Sequence, residues 1–146
     1  MSGKNLKIYF GRSIRGGQKE EDARVFSMLV QELMKYGKVL TEKFGDDQAI
    51  QKEDAVTSDK AIYQADLTLI DQSDVMVAEV SNPSLGVGYE IGRAHDGNKK
   101  ILCLYRPKDA PKKLSAMIRG ADGINNLTVR DYEESAIPSI LSDYFG

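Results

Sequence analysis

The sequence predicts an α/β fold of the flavodoxin-like (Rossmann-like) type, with a parallel five-stranded sheet in the order 2-1-3-4-5 and helices on both faces. Short apolar runs alternate along the chain with segments of helical periodicity, which is typical of parallel sheets. Crossover helices between parallel strands then cover the two faces of the sheet. The 146 residues contain no internal repeat or linker, so we expect one domain spanning residues 1–146.

The elements of the first half follow in order. The first strand is predicted over residues 6–10 and the first helix over 19–36. The apolar face of this helix consists of Phe26, Leu29, Val30 and Leu33. Gly37 is expected to cap the helix at its C′ position. A short second strand follows over 38–41, and the polar, acidic residues 44–58 predict a mobile connection.

The second half continues the alternation. A helix is predicted over 59–73, the third strand over 75–80 and the fourth over 100–105. A last strand near 127–129 and a helix over 133–144 complete the chain.

Composition excludes several function classes. The chain is 41% apolar and 29% charged with a net charge of −2, which gives no indication of nucleic-acid or membrane binding. One histidine and one cysteine cannot form the usual zinc sites, and we expect neither a metal nor a cofactor. The single Cys103 predicts a reducing compartment, the cytoplasm, with the nucleus as the alternative in a eukaryote.

The most informative segment is Ser-Asn-Pro-Ser-Leu-Gly-Val-Gly-Tyr-Glu-Ile-Gly-Arg-Ala, residues 81–94. It follows the third strand, and ligands of parallel α/β sheets collect where such loops leave the strands. Helical spacing places Glu90 on the apolar face formed by Val87, Ile91 and Ala94. A carboxylate there costs several kcal/mol unless it is paired or neutralised. The alternative is a surface glutamate stabilised by the helix dipole.

Three glycines in this segment favour a functional interpretation of Glu90. Gly86, Gly88 and Gly92 are costly within a helix unless the backbone closely approaches another group.

A second carboxylate is also predicted to lie on an apolar helix face. Asp66 shares a helix face with Ile62, Leu69 and Ile70, and Asp59 lies two turns earlier on a similar face. A solvated helix edge is the alternative. Two inward carboxylates on adjacent helices are the apparatus that cleaves a glycosidic bond.

The first loop has the composition of a phosphate site. Gly11, Ser13, Arg15, Gly16 and Gly17 precede a helix, where backbone amides and an arginine bind anions well. The pattern is neither a P-loop nor a dinucleotide fingerprint.

Other candidate residues have simpler interpretations. His95 has no candidate partner in the sequence and is expected to pack or to lie at the surface. Cys103 is expected in the core, residues 108–113 in a solvated loop, and Ser115 at the start of a short helix.

Several of these segments together resemble one family. They are Phe-Gly-Arg-Ser-Ile-Arg-Gly-Gly at 10–17, Ala-Glu-Val at 78–80, Pro-Ser-Leu-Gly-Val-Gly-Tyr-Glu-Ile-Gly-Arg-Ala at 83–94, Ile-Leu-Cys-Leu at 101–104 and Leu-Ser-Ala-Met-Ile-Arg-Gly at 114–120. The chain resembles the 2′-deoxynucleoside 5′-phosphate N-hydrolases, which belong with the nucleoside 2-deoxyribosyltransferases. The similarity extends over residues 7–144.

The resemblance implies hydrolysis of deoxynucleoside monophosphates to free base and 2-deoxyribose 5-phosphate. In this family pattern Glu90 is the nucleophile that forms a covalent glycosyl intermediate, Asp66 assists the leaving base, and Tyr9 orients the carboxylates. Ser115 reaches the phosphate of the neighbouring subunit, which implies a homodimer. The substrate-binding residues implied are Ser13, Ile14, Arg15, Gly16, Gly17, Tyr63, Ser84, Gly86, Ser115 and Met117.

Two alternatives stay open. One is base exchange between unphosphorylated deoxynucleosides, and the other is a non-catalytic nucleotide-binding module. Tyr63 stands where some relatives carry a histidine, so no base preference is transferred to this chain.

Overall fold

Five strands form one parallel sheet in the order β2-β1-β3-β4-β5, which confirms the predicted fold class. The structure is a computed structural model that describes residues 5–13, 20–41 and 58–146. The strands are β1 (Leu6–Arg12), β2 (Gly37–Thr41), β3 (Val75–Glu79), β4 (Lys100–Tyr105) and β5 (Leu127–Asp131). Each pairing is parallel, with Ile8 opposite both Val39 and Val75.

The described helices connect the strands close to the predicted positions. They are α1 (Glu20–Leu33), α2 (Asp59–Gln72), α3 (Leu85–Asp96), α4 (Ala116–Arg119) and α5 (Ile137–Phe145), with a 3₁₀ turn at Glu134–Ala136. Ser58 caps α2, since its Oγ accepts the amide of Ala61 at 3.1 Å. The predicted mobile connection over 44–58 lies outside the described residues except for Ser58.

Two apolar layers enclose the sheet, because successive strand residues point to opposite faces. One layer joins Ile8, Phe10 and Val77 to α1 and α5. The other joins Tyr9 and Met76 to α2 and α3. The second layer is the one that carries the candidate site.

The predicted role of Gly37 as a helix cap is wrong. Helix α1 ends at Leu33, a turn follows, and Gly37 is already the first residue of β2, paired with Leu6. A Cβ at position 37 would lie 2.2 Å from the carbonyl oxygen of Leu6. Glycine is therefore required by the close contact of two strands, and Gly37 does not adopt the left-handed conformation that a C′ cap uses.

Within the described ranges, no helix has the length and apolarity needed to cross a membrane.

Candidate active site

Tyr9, Asp66 and Glu90 are all buried, on three elements of the second layer. Their exposed fractions are 0%, 6% and 8%. The hydroxyl of Tyr9 donates to Oε2 of Glu90 at 3.1 Å. Strand β1 thus places a hydrogen-bond donor against a carboxylate on α3, and Asp66 on α2 interacts electrostatically with the same carboxylate.

Helix α3 orients Glu90 inward. Ser84 begins the helix as its N-cap, with Oγ accepting the amide of Val87 at 3.2 Å. The buried face consists of Val87, Glu90, Ile91 and Ala94, as the helical spacing predicts. The alternative of a surface glutamate is wrong for Glu90.

Helix α2 places one of its two candidate carboxylates in the buried layer. Asp66 is buried beside Leu67 and Ile70. Asp59 is exposed in the first turn, where a carboxylate stabilises the helix dipole in solvent. The prediction that Asp59 shares the inward face is therefore wrong, and Asp66 is the acid of α2 that pairs with Glu90.

Gly11 lies inside β1 and not in the loop that follows it. A Cβ at this position would lie 3.6 Å from Oε1 of Glu90 and 3.3 Å from Cε of Met76. Because glycine stands here, the space beside the Glu90 carboxyl is bounded by bare backbone.

Burial and charge change the proton affinity of the pair. Burial in the apolar layer, and after it the negative charge of Asp66, raise the pKa of Glu90 to about 8, against the opposing effect of the Tyr9 hydrogen bond. Two adjacent carboxylates cannot both ionise easily, so near neutral pH the pair keeps one proton. One acid and one carboxylate together suit the cleavage of a glycosidic bond.

Only part of the set of residues predicted to bind the phosphate is described. Ser13 is buried directly after β1. Ile14, Arg15, Gly16 and Gly17 lie outside the described residues. Gly86 is exposed in the first turn of α3, where backbone amides have no acceptor within the helix.

Ser115 and Met117 lie on the surface of α4. The Oγ of Ser115 accepts the amide of Met117 at 3.2 Å, so Ser115 is an N-cap, and both residues are exposed. The Met117 side chain is 85% exposed.

Tyr63 takes part in a contact between α2 and α3 that sequence patterns did not reveal. Its hydroxyl accepts a hydrogen bond from Nη1 of Arg93 at 2.9 Å and lies 3.4 Å from the hydroxyl of Tyr89. The two tyrosine rings meet edge to face, with centroids 5.9 Å apart. The hydrogen bonds with Tyr89 and Arg93 lower the pKa of Tyr63. The only prior signal was that Tyr89 and Arg93 flank the buried Glu90.

The remaining candidates belong to the scaffold. Nε2 of His95 lies 2.8 Å from the carbonyl oxygen of Ile124, so this residue does have a partner. Cys103 is fully buried in β4, and burial raises the pKa of its thiol to about 12. In the part of the chain that is described, no group of acidic, histidine and cysteine side chains could hold a metal ion.

Comparisons with known proteins agree with this architecture. The profile of the family described as nucleoside 2-deoxyribosyltransferase matches residues 8–131. The 5-hydroxymethyl-dUMP N-hydrolase of Danio rerio is 48% identical over 140 residues, covering 96% of each chain. The human protein of that name is 46% identical over 139 residues, covering 94% of this chain and 78% of its own length.

A solved structure shows the same fold at lower sequence similarity. The CMP N-glycosidase of Clostridium botulinum superimposes with a TM-score of 0.67 at 23% identity, covering 94% of this chain and 98% of its own.

Proposed function

Because the chain belongs to the nucleoside 2-deoxyribosyltransferase family, we propose that it hydrolyses the N-glycosidic bond of 2′-deoxynucleoside 5′-monophosphates. The products are the free nucleobase and 2-deoxyribose 5-phosphate. The observation that carries the proposal is the buried carboxylate pair, Glu90 with Asp66, in contact with the Tyr9 hydroxyl. Relatives named N-hydrolases that match nearly the whole chain support the same reaction.

The chemistry proceeds in two steps. The one proton that the pair shares passes from Glu90 to Asp66, the Glu90 carboxylate attacks C1′, the C1′–N bond breaks, and the base leaves with the proton from Asp66. Water then attacks C1′ of the glycosyl ester, the C1′–O bond to Glu90 breaks, and Asp66 takes the proton of the water. The Tyr9 hydroxyl holds the Glu90 carboxyl in one orientation between these steps.

The 5′-phosphate is the feature that separates hydrolysis of nucleotides from base exchange on nucleosides. The Oγ of Ser84 accepts the amide of Val87, which leaves its O–H able to donate to a ligand near the first-turn amide of Gly86. A 5′-phosphate would offer these donors, and the predicted ligands Ser13 and Arg15, a charged acceptor that a bare 5′-hydroxyl does not provide. A phosphate satisfies them.

A base-release assay tests the function. Deoxynucleoside monophosphates, ribonucleoside monophosphates and unphosphorylated deoxynucleosides are compared, each with and without an added acceptor base. We expect release from deoxynucleoside monophosphates without an acceptor, and loss of most activity when the phosphate is removed. A requirement for the acceptor would indicate the transferase, and an absence of release from every substrate would indicate a binding module.

We also propose a homodimer in which Ser115 reaches the phosphate of the neighbouring site and Met117 contributes to substrate binding. Leu85 is 97% exposed and Met117 85% exposed, so both large apolar side chains are accessible to a second chain. Added Cβ atoms at Gly88 and Gly92 would meet nothing within 4 Å, so the close approach expected of these glycines is not made within the described chain. A second copy of the chain could approach α3 there.

Mixed dimers test this arrangement. One chain carries Glu90→Ala and the other Ser115→Ala, so a cross-subunit site pairs intact Glu90 with intact Ser115 once in each mixed dimer. We expect base release from the mixed dimer to exceed that of either parent protein, measured after co-expression with two affinity tags. Activity no higher than the better parent would place Ser115 outside the neighbouring site.

We further propose that residues 1–146 act as one domain in the cytoplasm or, in a eukaryote, in the nucleus. The single buried Cys103 supports a reducing compartment.

A further inference from the structure

A buried charged cluster lies on the face of the sheet opposite Glu90 and Asp66. The guanidinium of Arg106, directly after β4, donates to Asp22 through Nη2 and to Glu79 through Nε at 3.3 Å. Asp22, Glu79 and Arg106 are at most 3% exposed, and Asn82 is 5% exposed. We refer to Asp22, Glu79, Asn82 and Arg106 as the Arg106 cluster.

The Arg106 cluster holds the segment that leads into α3. The Glu79 carboxylate accepts the amide of Ser81 at 2.7 Å and its hydroxyl at 2.9 Å. The amide of Arg106 donates to the same Ser81 hydroxyl at 2.8 Å. Residues 81 and 82 are thereby fixed just before Ser84, the N-cap of the helix that carries Glu90.

The same cluster reaches the first turn of α1. Asp22 accepts Arg106 on one carboxylate oxygen and the side-chain amide of Asn82, at 3.0 Å, on the other. Asp22 is the third residue of α1, the helix that follows the predicted phosphate loop in the sequence. One carboxylate therefore connects the helix after the first loop to the segment after β3.

Stability alone is a weak reason for such a cluster. Burying ions costs several kcal/mol each, and well-packed apolar side chains of similar volume are often as stable. Directional hydrogen bonds to two segments fix the spacing between those segments, which apolar packing does not do.

We propose that the Arg106 cluster positions the start of α3, where Ser84 and the first-turn amides form the described part of the predicted phosphate site, by fixing residues 81 and 82 relative to α1. This inference rests on the proposed function for the identity of the ligand. Asp22, Asn82 and Arg106 act as positioning residues and contact no substrate. Loosening the cluster should weaken phosphate binding while leaving the chemistry at Glu90 intact.

Asp22 and Asp109 both accept hydrogen bonds from the Arg106 guanidinium, so substitutions at these two residues form a matched pair. Asp22→Asn keeps the shape but removes the negative charge that pairs with Arg106 and one of the two acceptor oxygens, which weakens the connection between Arg106 and Asn82. Asp109→Asn removes the negative charge of another partner of the same Arg106, 3.2 Å from Nη1, whose side chain bonds to neither segment. Asn82→Ala removes the Asp22–Asn82 bond and leaves the Asp22–Arg106 pair in place. It is the test variant if Asp22→Asn folds poorly.

The readouts are KM and kcat for base release and the Kd of 2-deoxyribose 5-phosphate by calorimetry. We expect Asp22→Asn and Asn82→Ala to raise KM and Kd by about tenfold, with kcat within about twofold and KM for the unphosphorylated nucleoside unchanged. Asp109→Asn should leave all of these values as in the wild type.

Two outcomes would overturn the positioning role. One is an equal change in Asp22→Asn and Asp109→Asn, and the other is a fall in kcat with KM and Kd unchanged. A wild-type protein that releases no base would refute the proposed function instead, and the Kd comparison would still decide the positioning role.

Discussion

Replacing Glu90 with glutamine should abolish base release and at the same time make the protein more stable above pH 8. The amide cannot attack C1′, so we expect kcat to fall by more than about 10³-fold. The geometry of the site should persist, because the glutamine oxygen can accept the Tyr9 hydroxyl and its NH₂ can donate to Asp66.

The gain in stability follows from proton linkage. The pKa of Glu90 is raised from an ordinary 4.5 to about 8 in the folded protein. A group of this kind stabilises the fold fully below pH 4.5 and loses that contribution as the pH rises through 8. Glutamine does not ionise, so the variant escapes the loss.

Thermal unfolding at pH 5 and at pH 8.5 measures this effect. The Tm difference between Glu90→Gln and wild type should be larger at the higher pH. Glu133→Gln, at an exposed glutamate, is the matched control and should show no pH-dependent difference. A Tm for Glu90→Gln below that of the wild type at pH 8.5 would contradict the buried, proton-retaining pair.

Replacing Asp66 with asparagine should slow release of the base by about 10²–10⁴-fold, the usual contribution of a positioned general acid. The amide cannot supply the proton that the base needs on leaving. The penalty should therefore be largest for bases that are poor leaving groups and smallest for those that leave readily as anions.

The pH profile provides the second readout for Asp66. In the wild type, kcat should fall as the pH rises through about 8, because the carboxylate pair then loses its shared proton. Asp66→Asn should lack this decline, and Asp59→Asn, at the exposed acid of the same helix, should keep it. An equal penalty for every base would argue against proton donation by Asp66.

Sequence periodicity was sufficient to predict the direction of a side chain where one face of its helix is buried. Glu90 and Asp66 were predicted to point inward because apolar residues three and four positions away define a helix face, and both are buried. Asp59 satisfied the same spacing but lies in the first turn, beyond the edge of the apolar layer. Periodicity gives the direction of a side chain, whereas burial also depends on how far the neighbouring layer extends.

Contacts between distant segments could not be predicted in this way. Asp22 and Arg106 are separated by 84 positions, and no local pattern connects them. A signal did exist in Glu79, an acidic residue within the otherwise apolar β3, where an unpaired charge would be very costly. The role of Gly37 was predicted wrongly for a related reason, because its tight contact is with Leu6, which is distant in the sequence.

The ring contact between Tyr63 and Tyr89 gives the protein an optical reporter of its own. The chain contains seven tyrosines and no tryptophan, so its near-ultraviolet circular dichroism is dominated by tyrosine. These two rings lie 5.9 Å apart on the helices that carry Asp66 and Glu90. A change in the spacing of α2 and α3 should therefore alter the aromatic spectrum and be measurable without an added label.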